Sequence, residues 1–479
     1  MGGTDRLYPR TTFETLPDNV LLETFEFYLD KDDPDEFDHG HDYDGWQTLV
    51  HVCRRWRCIV FASPRRLDLK LFCTPQRLVN SKTLDIWPTL PIVIFAEDMQ
   101  SKEDVTNVIS ALRRHNRVRK IFYWIRQFQD FFLEEFAAID EPFPALTSLT
   151  LTALTSSGQN VPILPDSFLG GSAPRLRSLN LYGIPYPSIG KLLLSTSNLV
   201  WLCLWDIPCS GYIAPEAVVP CLSMLPRLES LRLSFRYPRS RVQQESQYPP
   251  LLTRVVLPNL TYLGFEGDVE YLENILSQIE TPVLNQSAFW FFNQLVFDTP
   301  LLGHFIRRTE TFMTIHTAHI QFSSDNIAGT LLGLGETADD AQVALHWFIS
   351  CEPLDWQLSA LTQVLDSFLS SLQTVETLEI EVDHEDWQGE IIDFIQWREL
   401  LHPFTSVKDV SLKNKESVQL VTPALQELAG ERATEVLPAL QNMFLMTGGW
   451  QPSGPVKAGT EQFIAARQLY GHPVTVHHL

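Results

Sequence analysis

PRLRSLNLYGI, residues 174–184, is the stretch on which the fold turns. Leu176 is followed by Leu179 and then by Leu181, so an apolar side chain returns after three residues and again after two. The closing alternation is the mark of a short strand with one buried face. The phrase recurs as PALTSLTLTAL (144–154), SNLVWLCLWDI (197–207), PRLESLRLSF (226–235) and PNLTYLGFEG (258–267). Its first positions fall at 118, 146, 176, 199, 228 and 260, with weaker members at 284, 315, 343, 375, 407 and 440, in steps of 23 to 33 residues. Ser287 and His346 stand where an apolar residue is expected, so the repeats over 284–348 read as degenerate.

Helical signals fill the intervals. SKEDVTNVISALRRHNRV (101–118) opens with Ser101 and Asp104 in a capping-box arrangement and continues amphipathically. YLENILSQIE (271–280) and LSALTQVLDSFLSSL (358–372) behave likewise. Period and phrase together resemble leucine-rich repeats, whose unit is one strand plus a helix or turn. One such unit cannot bury its own apolar side, so neighbours must stack. The resemblance implies an α/β solenoid, a right-handed horseshoe with short parallel strands on its concave face. A generic α/β domain of similar rhythm is the competing reading. In the horseshoe Leu176, Leu179 and Leu181 face the core. The outward positions Arg177, Asn180, Trp201, Arg232, Ser234 and Tyr262 are then the candidate substrate-binding residues. Arg, Trp and Tyr dominate binding hot spots, which makes Trp201 and Arg232 the preferred anchors.

The chain has 479 residues, 44% hydrophobic and 20% charged, as expected for folded protein of more than one domain. The formal charge of −22 argues against general affinity for nucleic acid or anionic membrane. Acidic residues concentrate over 30–44 and 376–399; basic ones gather at Arg113, Arg114, Arg117, Arg119 and Lys120, and at Arg232, Arg236, Arg239 and Arg241. No apolar run approaches the length of a membrane span, and LPIVIFA (90–96) fits a buried strand. The N-terminus has no apolar segment of a secretory signal, and Arg6 breaks a myristoylation motif. Seven scattered cysteines without a CxxC pair point to a reducing compartment, cytoplasmic or nuclear.

The first 62 residues read as a separate helical module. TLPDNVLLETFEFYL (15–29) has Thr15 and Asp18 in capping-box spacing, with Leu21, Leu22, Phe25 and Leu29 on one face. WQTLVHVCRRWRCIVF (46–61), taken as one helix, carries two apolar stripes: Leu49, Val52, Trp56 and Ile59 on one, and Trp46, Val50, Cys53 and Val60 on the other. Two stripes are two surfaces to cover, one of them by the first repeat or by another protein. Leu16-Pro17-Asp18, then Val20 to Phe25, then Val52-Cys53-Arg54-Arg55-Trp56 resemble the F-box. The acidic segment 30–44 is longer than that family's usual linker; as a flexible loop it costs little. F-box modules followed by leucine-rich-like repeats form a large family in mushroom-forming fungi, and SPRRLDLKLFC (63–73) with LDIWPTLPIVI (84–94) resemble its linking region. The resemblance implies a non-catalytic substrate receptor of an SCF-type cullin-RING ubiquitin ligase. Leu16, Pro17, Val20, Leu21, Phe25, Val52 and Trp56 would meet the Skp-type adaptor, and the repeats would bind a substrate protein. A repeat-based scaffold or ligand sensor outside any ligase is the alternative. The expected layout is a tail over 1–11, the F-box module over 12–62, repeats over 63–450 and a cap or tail over 451–479.

Nothing in the sequence calls for a cofactor or metal. His39 and His41 sit on the acidic linker without a cysteine pair, and His316 and His319 fall in an expected strand. Gly329, Gly333 and Gly335 lack the spacing of a phosphate-binding loop and read as a loop or helix end. The sequence holds no G-x-S-x-G, HExxH or kinase set. The carboxylates of EIEVDHEDWQGE (379–390) read as a solvated or partner-facing edge rather than an acid/base pair.

Overall fold

The computed structural model describes residues 16–29, 45–74, 90–97, 99, 101–125, 129–153, 161–237, 254–294, 296–333, 342–351, 354–383, 394–427, 434–446 and 454–479. Thr15, the segment 30–44 with His39 and His41, residues 84–89, Arg239, Arg241, Gly335 and positions 384–393 lie outside the described residues. The chain divides into two units, one of residues 1–156 and 167–176, the other of 157–166 and 177–479.

The first unit begins with helices Asp18–Leu29, Gly45–Val52 and Arg54–Ala62. Pro17 stands just ahead of the first, its carbonyl accepting from Val20 and Leu21 N–H. The stretch expected as one second helix is two. Cys53, with extended backbone, caps the third helix by accepting from the Trp56 N–H at 3.4 Å. The break re-aims the side chains, so the two sequence stripes do not survive. Trp46, Leu49, Val50, Ile59 and Val60 are buried, whereas Val52 is 56% exposed.

After this module come strands β1 (Leu71–Cys73), β2 (Ile92–Glu97), β3 (Val118–Ile125) and β4 (Ser148–Ala153), paired in parallel in that order. Parallel neighbours need a crossover, which helices Lys102–Leu112 and Gln129–Ala137 supply here. The first has the expected capping box: Ser101 Oγ accepts from Asp104 N–H, and the Asp104 carboxylate accepts from Ser101 N–H. Aromatic rings cluster within an otherwise aliphatic core. Tyr123 stacks on Phe132 at 4.0 Å between ring centroids, and Phe136 meets Phe143 and Phe168 edge-on.

The second unit holds β5 (Ser178–Tyr182), β6 (Trp201–Ile207), β7 (Ser230–Phe235), β8 (Val255–Val256), β9 (Tyr262–Gly267), β10 (Ile279–Glu280), β11 (Gln286–Phe291), β12 (Ile315–Ser323), β13 (Asn326–Gly333), β14 (Gln342–Ser350), β15 (Thr377–Asp383), β16 (Asp409–Leu412), β17 (Asn442–Leu445) and β18 (Thr475–His478). The β8 and β10 pair stands apart; the rest run β5-β6-β7-β9-β11-β14-β13-β12-β15-β16-β17-β18. Pairing is parallel throughout, except that β13 is antiparallel to both β12 and β14. Repeating β–α units on a long parallel sheet make this a leucine-rich-repeat-like solenoid.

A single row of paired residues explains its continuity. Leu179, Leu202, Leu231, Leu263, Ser287, Leu345, Leu331, Ala318, Leu378, Val410, Met443 and Val476 are partners in succession. From Leu179 to Met443 every member is buried, Ser287 included at 2% exposure. Fully burying a leucine contributes about 1.5–3 kcal/mol, so such a row is a strong reason for strands to stay in register.

The degenerate repeats are where expectation and structure part. The phrase starting at 343 is displaced by one residue: Leu345, Trp347 and Ile349 are buried, Val343 is 43% exposed, and His346 lies on the other face of β14. Gly329 and Gly333, expected in a loop or helix end, lie in strand β13. Gly329 is needed there because it pairs with Trp347, and a Cβ on it would stand 1.9 Å from the indole. Residues 451–479, expected as a cap or tail, contain helix Gly454–Leu469 and β18, which extends the parallel ladder beside β17. Arg467 on this helix is fully buried and donates to the carbonyls of Leu437 at 3.1 Å and Leu440 at 3.3 Å.

Candidate functional site

In the N-terminal module, the two halves of the sequence motif are held together by Arg55. Its guanidinium binds the Asp18 carboxylate at 2.5 Å and the Leu16 carbonyl at 2.5 Å. Arg66 binds Glu26 at 2.9 Å further along the first helix. Inside this frame the Phe25 ring meets Trp56 at 4.7 Å between centroids, and Trp46 donates its indole N–H to the Lys70 carbonyl. Of the adaptor candidates, Pro17 and Val52 are exposed, while Leu16, Val20 and Trp56 are half-buried. Leu21 and Phe25 are each 1% exposed. In this chain by itself their side chains pack the helices together, Phe25 against Trp56, rather than facing outward. Phe27 at 74% and Tyr28 at 50% are exposed instead, apolar surface that the motif does not mark.

In the second unit the outward face of the sheet carries a built cluster around Arg232. Cys203, Arg232, Gly264 and Ala288 occupy one row across β6, β7, β9 and β11. Small side chains on either side of Arg232 let its long one lie across the strands. A Cβ on Gly264 would already be 3.1 Å from Arg232 Cγ. The guanidinium carbon rests 3.0 Å from the Trp205 ring centroid and 4.6 Å from that of Trp290. Tyr182 stacks on the outer side of Trp205, and His346 tilts against Trp290. The His346 Nδ1 is 3.1 Å from Thr330 Oγ1.

Charges in this cluster are arranged unevenly. Arg236 makes a two-pronged ion pair with Asp206, at 2.9 and 2.5 Å. Arg232 has no carboxylate within ion-pair distance among the described residues, although Glu266 is on the neighbouring strand. Glu266 instead accepts a 2.6 Å hydrogen bond from Ser234 Oγ, which itself accepts from the Asp206 N–H. Burial pushes Glu266 above the ordinary carboxylate range, with the Ser234 bond and Arg232 opposing it. Burial also lowers the pKa of Arg232, and the Tyr262 hydroxyl with which it hydrogen-bonds is raised. Arg232 Nε is buried without a hydrogen-bond partner. Such a donor carries a desolvation cost of about 1–3 kcal/mol that stacking on tryptophan offsets in part.

Of the expected substrate residues, Arg232 and Tyr262 sit in this cluster. Trp201 is 50% exposed at its edge. Asn180 is half-buried on β5, and Arg177 is exposed just before that strand, its carbonyl accepting from Val200 and Trp201 N–H. Ser234, at 1% exposure, is held between Glu266 and the Asp206 N–H. Trp205, Trp290, Glu266 and His346 escaped the sequence reading. Repeat position places Trp205, Trp290 and Glu266 on the outward face, while His346 reaches it only because its repeat is displaced by one residue; only the strand order shows that Trp205 and Trp290 converge on one arginine. His319 on β12 lies 3.3 Å from Glu381, and no cluster able to hold a metal ion occurs among the described residues.

No protein-family model matches the sequence, and no curated protein matches it. Among solved structures, the chain is similar to the leucine-rich repeat-containing protein LegL7 from Legionella pneumophila, with 14% identity over 69% of this chain and 93% of that one. The TM-score is 0.27, so the repeat architecture rests on strand order and register instead.

Proposed function

We propose that this chain is a substrate receptor. The N-terminal helices dock on the Skp-type adaptor of an SCF-type cullin-RING ubiquitin ligase, and the outward face of the repeats takes a substrate protein. The observation that carries the reading is Arg55. It ties Leu16 and Asp18 to the third helix, so the two motif segments, far apart in sequence, meet in one small module. Leu16, Pro17, Val20, Val52 and Trp56 then offer apolar surface to a groove on the adaptor. The sheet supports the second half of the reading, because a row of side chains on stacked strands presents an extended face to a partner. The role needs no catalytic residue in this chain, no cofactor, no membrane and no nucleic acid.

The test is affinity purification of the full chain and of a variant lacking residues 1–62, with the retained proteins identified by mass spectrometry. The reading expects adaptor and cullin with the full chain alone, and substrate with both. Substrate capture by both without adaptor would favour the scaffold reading.

A further inference from the structure

We propose that Arg232 receives the carboxylate of an aspartate or glutamate in an extended segment of the partner protein, while Trp201 receives an apolar side chain of the same segment. The inference rests on reading the sheet face as the recognition surface; it does not depend on the ligase assignment.

Three observations carry it. A half-buried guanidinium is wedged between Trp205 and Trp290 with no carboxylate in ion-pair distance among the described residues, whereas Arg236, four residues on, has Asp206. Nature of the charge follows from the neighbours. Glu266 on the neighbouring strand, bonded to Ser234, and Asp206 beside it already place negative charge nearby, so a singly charged carboxylate suits the cluster better than a phosphate dianion. The chain's net charge of −22 disfavours a polyanion as well. Both anchors lie on one face of neighbouring strands. Trp201 pairs with Ser230, two residues before Arg232 on the adjacent strand. The Arg232 guanidinium reaches on to Trp205, four residues beyond Trp201 on the same strand, so one extended segment running along the strands passes both. Trp201, half exposed, has free ring surface to give.

The experiment pans a displayed library of random peptides on the full chain, on Arg232→Met and on Trp201→Ala. An enriched peptide is then synthesised with its acidic residue, with the matching amide, and with phosphoserine in its place. The proposal expects enrichment of peptides that combine Asp or Glu with a large apolar side chain. The amide should bind about tenfold more weakly or worse on the full chain, and equally with the acid on Arg232→Met. Trp201→Ala should keep the acidic preference and lose the apolar one. If Arg232→Met does not fold by circular dichroism, Arg232→Lys gives the reading, with the acid-to-amide ratio reduced. Peptides lacking an acidic residue, an unchanged ratio in the Arg232 variants, a preference for phosphoserine, or no enrichment would overturn it. Adaptor binding by the same preparations is scored separately, so failure of the ligase reading is visible on its own.

Discussion

Gly329→Ala should disrupt the antiparallel insert in an otherwise parallel ladder. The added Cβ would lie 1.9 Å from Trp347 Cζ2, 2.2 Å from Cε2 and 2.6 Å from Cη2. Carbon atoms pack at about 3.5–4.0 Å, so the indole would have to withdraw by about 1.5–2 Å. It has nowhere to go: Trp347 is fully buried, with the Phe368 ring 5.5 Å away. Overpacking of this kind costs about 1–3 kcal/mol, sometimes more. Native-state hydrogen exchange of the β12, β13 and β14 amides reads the effect locally, with exchange through opening of these strands expected to quicken about 5–150-fold. Trp347→Leu deletes the clashing atoms and leaves a cavity of its own. In that background the alanine should cost less than about 0.5 kcal/mol or be favourable, because glycine is a poor strand residue. An alanine variant exchanging like wild type, or the same penalty in both backgrounds, would refute the placement of β13.

Two further outcomes follow from local chemistry. Ser101→Ala removes half of a capping box and should destabilise helix Lys102–Leu112 by about 1 kcal/mol, seen as faster exchange in its first turn. Glu266, raised by burial, contributes stability below the ordinary carboxylate range and loses it as pH rises through its elevated value. Urea midpoints of wild type should therefore fall relative to Glu266→Gln as pH is raised from about 4 to 7; a constant difference would count against a buried carboxylate.

The legibility of this fold has a physical origin. Each strand of the leucine phrase is flanked by residues of similar shape, so the apolar row from Leu179 through Leu263 is written locally, repeat by repeat. Ser287 interrupts that writing without interrupting the row, since backbone pairing and its neighbours Leu263 and Leu345 keep it in place. Strand β13 was hidden because glycine in sequence signals a turn, while Gly329 is selected by an indole on the next strand. The break at Cys53 was hidden too, since a cysteine is an unusual cap. On the outward face the positions of Arg232 and Tyr262 follow from the repeat, but the tryptophan clamp depends on contacts between strands that no single repeat encodes. Burial of Leu21 and Phe25 was likewise settled by helix packing, where the sequence shows only an apolar face.

Whether the N-terminal helices dock on a Skp-type adaptor, as proposed, is decided by titrating purified adaptor into the full chain. Leu16→Ala with Pro17→Ala should remove apolar contact of about 1–3 kcal/mol and weaken binding about tenfold or more, with the repeats still folded. Trp201→Ala, in the other unit, should titrate like wild type. A wild-type chain that does not bind the adaptor, or a double variant that binds it equally well, would contradict the account.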